Sequence, residues 1–81
     1  MFNFFRILKT MSIDEFMRDI APKMRPGWVA MDANGLWFWY SKNPTRLAHN
    51  FNIKDGEIYK MLMFDIAPVD DWKKSKRKVG N

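Results

Sequence analysis

The chain contains no cysteine. It therefore forms no disulfide, and it offers neither a thiolate nucleophile nor a cysteine-ligated zinc site. Long hydrophobic runs are also missing, because no stretch approaches the roughly 18 apolar residues that a membrane-spanning helix needs. With no disulfide framework and no signal-peptide pattern, we expect a cytoplasmic protein.

Groups that commonly carry catalysis are scarce as well. His49 is the only histidine, and it stands in a polar stretch without an activating motif around it. The four glycines are scattered, so the sequence has no glycine-rich phosphate-binding loop. The carboxylates of Asp32 and Asp55 suit turns, and the pair Asp70 and Asp71 suits the start of a short helix. We therefore expect no enzymatic activity, no metal ion and no cofactor.

Apolar and aromatic residues are plentiful in this short chain. Of its 81 residues, 47% are hydrophobic and 16% are aromatic. A chain of this length buries only about 60% of its unfolded surface, so large aromatic side chains are what make a stable core feasible. We predict a single compact domain over residues 1–75, with its core in residues 11–75.

The first ten residues form an apolar segment with two basic positions. Part of this segment, from Met1 to Leu8, follows helical spacing. We predict that residues 1–10 are a short helix or an extended arm that docks on the rest of the fold. Two alternatives stay open, namely an anchor at a membrane interface and a patch for self-association.

Residues 27–40 have the pattern of a β-hairpin. Two runs of aromatic and β-branched residues flank a turn sequence that ends in Asn34 and Gly35, which both tolerate the positive φ of a tight reversal. In the second strand, alternation places Trp37 and Trp39 on one face. The opposite face, which includes Tyr40, is apolar too. The second strand is therefore either central and buried, or one of its faces is a binding surface.

Residues 12–21 give the clearest helix. Ser12 followed by Glu15 is a capping-box pattern, and Pro22 ends the segment. The apolar positions recur at helical spacing and form one stripe, which comprises Ile13, Phe16, Met17 and Ile20. We predict that this stripe packs on one face of the sheet.

The second half of the chain adds further strand signals. Residues 57–66 read as a third strand that pairs antiparallel with the second strand of the hairpin, and residues 45–52 read as a loop or irregular strand. The predicted fold class is α+β, a small antiparallel sheet of three to four strands with an N-terminal amphipathic helix packed on one face.

The net charge of +5 comes from one short stretch. Five of the 14 basic residues lie within residues 73–78, and the other nine balance the nine acidic residues. We expect Trp72 to fix the end of the domain to the body. Residues 76–81 are predicted to be a disordered basic tail.

Two functions fit these features. We predict a non-enzymatic protein-binding module, because Trp, Tyr and Arg are enriched at the centres of protein interfaces. Its predicted binding residues are Trp37, Trp39, Tyr40 and Arg46. The alternative is a nucleic-acid-binding accessory protein, in which basic residues neutralise phosphates and aromatic side chains stack on unpaired bases. The basic residues in question are Lys73, Lys74, Lys76, Arg77 and Lys78. A homo-oligomer that uses the same aromatic residues also stays open.

The hairpin at residues 28–40 has the pattern W-V-A-x-D-x-N-G-x-W-x-W-Y, and residues 69–75 have the pattern V-D-D-W-K-x-S. In these two patterns the chain resembles a group of small phage- and prophage-encoded proteins of unknown function. The resemblance covers about residues 27–75 and leaves out the N-terminal helix and the basic tail. It implies the cytoplasm of a bacterial host and, by analogy, a host protein as the partner.

Overall fold

A computed structural model describes residues 10–54 and 57–80. The predicted N-terminal arm lies outside these residues, apart from Thr10. The described chain is an α+β fold with one α-helix and two antiparallel sheets, as predicted. Its elements are α1 (Ile13–Asp19), β1 (Gly27–Met31), β2 (Trp37–Tyr40), β3 (Thr45–Arg46), β4 (Phe51–Asn52), β5 (Tyr59–Met61) and β6 (Arg77–Val79), with short 3-10 turns at Ala21–Lys23 and Trp72–Lys74.

Helix α1 begins at the predicted capping box. The Glu15 backbone N–H donates to the Ser12 hydroxyl at 3.1 Å, and the Glu15 carboxylate accepts from the Ser12 backbone N–H at 3.3 Å. The Phe16 side chain of this helix is fully buried. The other residues of the predicted stripe are partly buried and pack against the core cluster that contains Phe16. An isolated helix of seven residues is unstable in water, so its packing on the sheet is what holds it.

The hairpin forms as predicted. Gly35 has a φ of 88°, and its N–H donates to the Asp32 carbonyl at 3.0 Å to close the turn. In the ladder that follows, Val29 lies opposite Trp39 and Met31 lies opposite Trp37. All four side chains therefore occupy one face of the sheet, which is the face that α1 covers.

The larger sheet has the strand order β5-β2-β1-β6, and every pairing in it is antiparallel. The predicted third strand does pair with β2, but it is limited to Tyr59–Met61 rather than to residues 57–66. Residues 45–52, predicted to be a loop or irregular strand, form the small two-stranded sheet of β3 and β4.

The core lies on both sides of the larger sheet. On the helix side, a cluster of buried residues comprises Phe16, Ala21, Val29, Met31, Trp37, Trp39, Ile66 and Val79. On the other side, Ala30 and Tyr40 are buried beneath Phe51, which belongs to β4. Trp72 packs against both clusters, and its ring meets that of Phe51 edge-on at 5.7 Å.

The prediction of a disordered tail is wrong for residues 76–80. Residues Arg77–Val79 form the edge strand β6, which pairs with β1, and Val79 is only 1% exposed. The Ser75 hydroxyl accepts from the Met31 N–H at 2.8 Å and donates to the Met31 carbonyl at 3.2 Å. Gly80 continues the attachment, because its N–H donates to the Ala21 carbonyl. Pairing with the edge of β1 and burial of Val79 therefore order residues 76–80, whose charge suggested disorder.

A helix of membrane-spanning length and hydropathy does not occur in residues 10–54 or 57–80.

Candidate interaction surfaces

The described residues contain no group of three or more His, Cys, Asp or Glu side chains that could hold a metal ion. His49 is exposed in the bend between β3 and β4.

The predicted binding residues of the hairpin are mostly core residues. Trp37, Trp39 and Tyr40 are 4%, 6% and 2% exposed, so they do not form a surface patch. Of the two interpretations of β2, central strand or binding face, the structure shows the first for these three side chains. The reason is that α1 covers the face of β2 that carries Trp37 and Trp39, and Phe51 of β4 packs over Tyr40 on the other face. Arg46, the fourth predicted residue, is exposed on β3 and lies apart from them in the smaller sheet.

Trp39 is also fixed by polar contacts. Its indole N–H donates to the Arg25 carbonyl at 3.2 Å, and the Arg25 guanidinium lies 5.5 Å from the centre of the ring. The indole nitrogen of Trp37, in contrast, is buried without a hydrogen-bond partner among the described residues. Both tryptophans therefore act as structural side chains that hold β2 against the helix side of the core.

Exposed apolar side chains gather instead at and after β5. Met63 is 92% exposed, Met61 is 54% exposed and Phe64 is 41% exposed. They line a shallow groove of about 250 Å³ that we call the β5 groove, lined by Met24, Arg25, Trp39 and residues 60–64. Its two charged lining residues, Arg25 and Lys60, are both basic.

The outer edge of β5 is open within the described part of the chain. The Leu62 N–H donates to the Trp37 carbonyl, and the Ser41 N–H donates to the Ile58 carbonyl. In an antiparallel ladder, alternate residues turn their backbone groups toward the neighbouring strand. The N–H and C=O groups of Tyr59 and Met61 therefore point away from β2. Such an edge, beside an apolar groove, is a template for a further strand.

The face of the sheet opposite α1 carries a second surface, which we call the aromatic face. It consists of Trp28, Phe38, Tyr40, Tyr59 and Met61, which lies opposite Phe38, with Lys76 and Lys78 at its β6 end. Tyr59 is 58% exposed and stacks on the buried Tyr40 ring at 6.2 Å, and its centre lies 6.1 Å from that of Phe38. Trp28 and Phe38 are half-buried.

Two lysines near the end of the chain, Lys76 and Lys78, contact this face at Trp28. The Lys76 ammonium lies 5.6 Å from the centre of the Trp28 ring, and the Lys78 ammonium lies 6.0 Å from it. Lys76 also donates to the Asn43 side chain at 2.7 Å. Arg77 turns back and donates to the Lys74 carbonyl at 2.7 Å. Of the five predicted basic residues, the structure thus brings Lys76 and Lys78 to the aromatics, whereas Lys73 and Lys74 lie exposed on the preceding 3-10 turn.

A cleft of about 350 Å³ opens beside the aromatic face, between Tyr59 and β4. Asp32 lines it and accepts from the Phe51 N–H at 2.9 Å. Burial raises the pKa of Asp32, an effect that this hydrogen bond opposes. Burial, with the nearby Asp32 charge as a smaller cause, also raises the pKa of the Tyr40 hydroxyl. The cleft therefore combines aromatic walls with one carboxylate.

The β5 groove is not predicted by the sequence. The sequence predicts one strand over residues 57–66, and it places the binding surface on the hairpin, at Trp37, Trp39 and Tyr40. The available signal was the excess of apolar residues in that stretch.

Comparison of the chain with models of protein families, with curated proteins and with solved structures found no match.

Proposed function

We propose that this chain is a non-enzymatic protein-binding module whose binding site is the β5 groove. The observation that carries this proposal is the exposure of the neighbouring residues Met63 and Phe64, 92% and 41% exposed, in one groove beside an open sheet edge. Single exposed hydrophobic residues are ordinary, but adjacent ones beside an open strand edge favour a contact with another molecule.

The composition of the groove suits a protein partner. Its walls include Met24, Met61 and Met63, and methionine side chains adapt their shape to the surface that they meet. Phe64 supplies an aromatic anchor, and its ring packs edge-on against the buried Phe16 at 5.7 Å. An aromatic side chain that the core holds in place loses little entropy on binding.

The charge and backbone of the site define the partner further. Arg25 and Lys60 flank the groove, and none of the described residues that line it is acidic. We infer a partner segment that is extended, apolar on one side and acidic. Such a segment adds as a strand to the outer edge of β5 through backbone hydrogen bonds, while its carboxylates face the two basic side chains.

The biological setting belongs to the same proposal. The hairpin pattern and the ending of the chain resemble those of small phage-encoded proteins, which favours a protein of the bacterial host as the partner. The binding then occurs in the host cytoplasm.

The test is affinity capture from a bacterial lysate with matched variants. Met63→Asp places a charge on the most exposed residue of the groove, and Leu47→Asp places the same charge on an apolar residue that is 44% exposed in the β3–β4 loop. The proposal predicts that a specific partner is captured by the wild type and by Leu47→Asp but is lost with Met63→Asp. Equal loss with both variants, or no loss with Met63→Asp, contradicts it.

A second copy of the chain is the other way to cover the groove. Light scattering at low and high protein concentration separates the two cases. A monomer at both concentrations agrees with a different protein as partner. A dimer that Met63→Asp dissociates and Leu47→Asp leaves intact assigns the groove to self-association instead.

A further inference from the structure

We propose that the aromatic face binds single-stranded nucleic acid. This inference goes beyond protein binding at the β5 groove, and it concerns the opposite side of the sheet from α1. Its residues are Phe38 and Tyr59 for the bases and Lys76 and Lys78, which lie beside Trp28, for the phosphates.

The strand register places four residues of this face, Tyr59, Tyr40, Trp28 and Lys78, in one row. Tyr59 lies opposite Tyr40, Tyr40 lies opposite Trp28, and Trp28 lies opposite Lys78. Directly opposed residues share a face, so the row crosses all four strands on the side away from α1. With strands about 4.8 Å apart, the row runs for about 15 Å from an exposed tyrosine to a lysine.

The tyrosine end of the row is suited to base stacking. Tyr59 stacks on Tyr40 with an angle of 25° between the rings, and Tyr40 itself is buried. One side of the Tyr59 ring is therefore supported by the core, while the ring as a whole remains 58% exposed. A supported ring with an open face is how sheet-based modules hold unpaired bases.

The lysine end of the row is suited to phosphates. Lys76 and Lys78 both lie near Trp28, so two positive charges meet at one place on the face. Within residues 10–54 and 57–80, Arg18 and Asp19 form the one ion pair, so no carboxylate there neutralises these lysines. Their side chains are held near the ring rather than being free in solution, which lowers the entropic cost of a phosphate contact.

Charge also determines which end of the row faces the phosphates and which end faces the bases. Asp32 lines the cleft beside Tyr59, and its carboxylate repels phosphate there. The phosphate backbone is thus favoured at the β6 end and the bases at the β5 end. A duplex hides its bases and exposes only phosphates, so we expect this face to prefer single strands.

The test is fluorescence anisotropy with labelled oligothymidine, oligouridine and a DNA duplex, each at about 50 and 200 mM salt. Single strands are expected to bind more tightly than the duplex at both salt concentrations. The comparison of oligothymidine with oligouridine identifies which nucleic acid is preferred.

Three variants locate the site. Tyr59→Ala is expected to weaken single-strand binding about tenfold or more, because it removes a base-stacking ring, whereas Tyr59→Phe retains the ring and the affinity. Lys78→Gln is expected to reduce the slope of log K against log salt by about 0.7, since it removes one phosphate contact. Lys23→Gln removes the same charge from the 3-10 turn on the helix side, and it should leave binding nearly unchanged.

The same measurements can overturn the inference. Equal losses with Lys23→Gln and Lys78→Gln mean that only net charge matters. Unchanged affinity with Tyr59→Ala, or duplex binding as tight as single-strand binding, removes the base-stacking role. Circular dichroism of each variant establishes that it is folded, and Met63→Asp should leave nucleic-acid binding intact because it alters the β5 groove only.

Discussion

The side chain of Val79 tests whether the basic end of the chain belongs to the fold. Val79 is 1% exposed and packs in the helix-side cluster, although it comes after four basic residues in five positions. The substitution Val79→Ala removes two methyl groups from this cluster. If residues 76–80 were disordered, this change would have no effect on stability.

The expected cost follows from burial. Each buried methyl or methylene group contributes about 0.8 kcal/mol, so the transfer of two groups accounts for about 1.6 kcal/mol. The cavity left in a packed core adds to this loss. We therefore expect Val79→Ala to lower the free energy of unfolding by about 2–3 kcal/mol, which corresponds to a decrease in Tm of about 10–20 °C for a domain of this size.

The assay is urea unfolding followed by tryptophan fluorescence, with Lys78→Ala as the matched control. Lys78 is exposed on the same strand, and its loss removes only a contact with the Trp28 ring at 6.0 Å. We expect the control to change stability by less than about 1 kcal/mol. A neutral Val79→Ala, or equal effects of both variants, would refute the packing of β6 described above.

The remaining predictions concern other structural contacts and are read out in the same unfolding assay. Ser75→Ala should destabilise the fold by about 1–3 kcal/mol, since it leaves the buried backbone groups of Met31 without their partner, whereas Ser75→Thr keeps the hydroxyl. Burial raises the pKa of Asp32, so its charge costs stability at neutral pH, and that cost disappears as the pH falls below the unfolded value of 3.8. Asp32→Asn keeps an acceptor for the Phe51 N–H and should therefore be more stable than the wild type at pH 7, with a difference that shrinks toward pH ~3, whereas Asp32→Ala should lose that advantage. Gly27→Ala should be destabilising, although alanine usually stabilises a chain relative to glycine, because a Cβ at Gly27 overlaps a carbonyl oxygen of β2 and lies 2.6 Å from an indole nitrogen.

Local chemistry explains which parts of the fold could be predicted. The capping box at Ser12 and Glu15 and the turn at Gly35 depend on neighbours in sequence, and both form as predicted. The alternation of β1 and β2 also fixes which side chains share a face. These features need only a few residues to specify them.

Longer-range contacts explain what was missed. Nothing near Val79 in sequence indicates that β1 has a free edge at which β6 can pair, so charge alone suggested a disordered tail. Likewise, the sequence pattern of Trp37 and Trp39 is the same for a core strand and for an exposed one. Only the packing of α1 on one face of β2 and of β4 on the other distinguishes the two cases.

The position of the β5 groove also depends on long-range contacts. Met61 and Met63 have the apolar pattern of a buried strand, but Met61 lies on the edge strand β5 and Met63 lies beyond its end, and both are exposed. Strand order is a property of the whole chain, and it could not be read from residues 57–66 alone.

Site-specific photo-crosslinking tests the proposed function most directly. A benzophenone amino acid is placed at position 63 in one sample and at position 47 in another, and both proteins are irradiated in bacterial cells. The β5 groove as the binding site predicts a discrete crosslinked partner from position 63 and none from position 47. A partner crosslinked from position 47 alone, or the same partner from both positions in equal yield, contradicts that assignment.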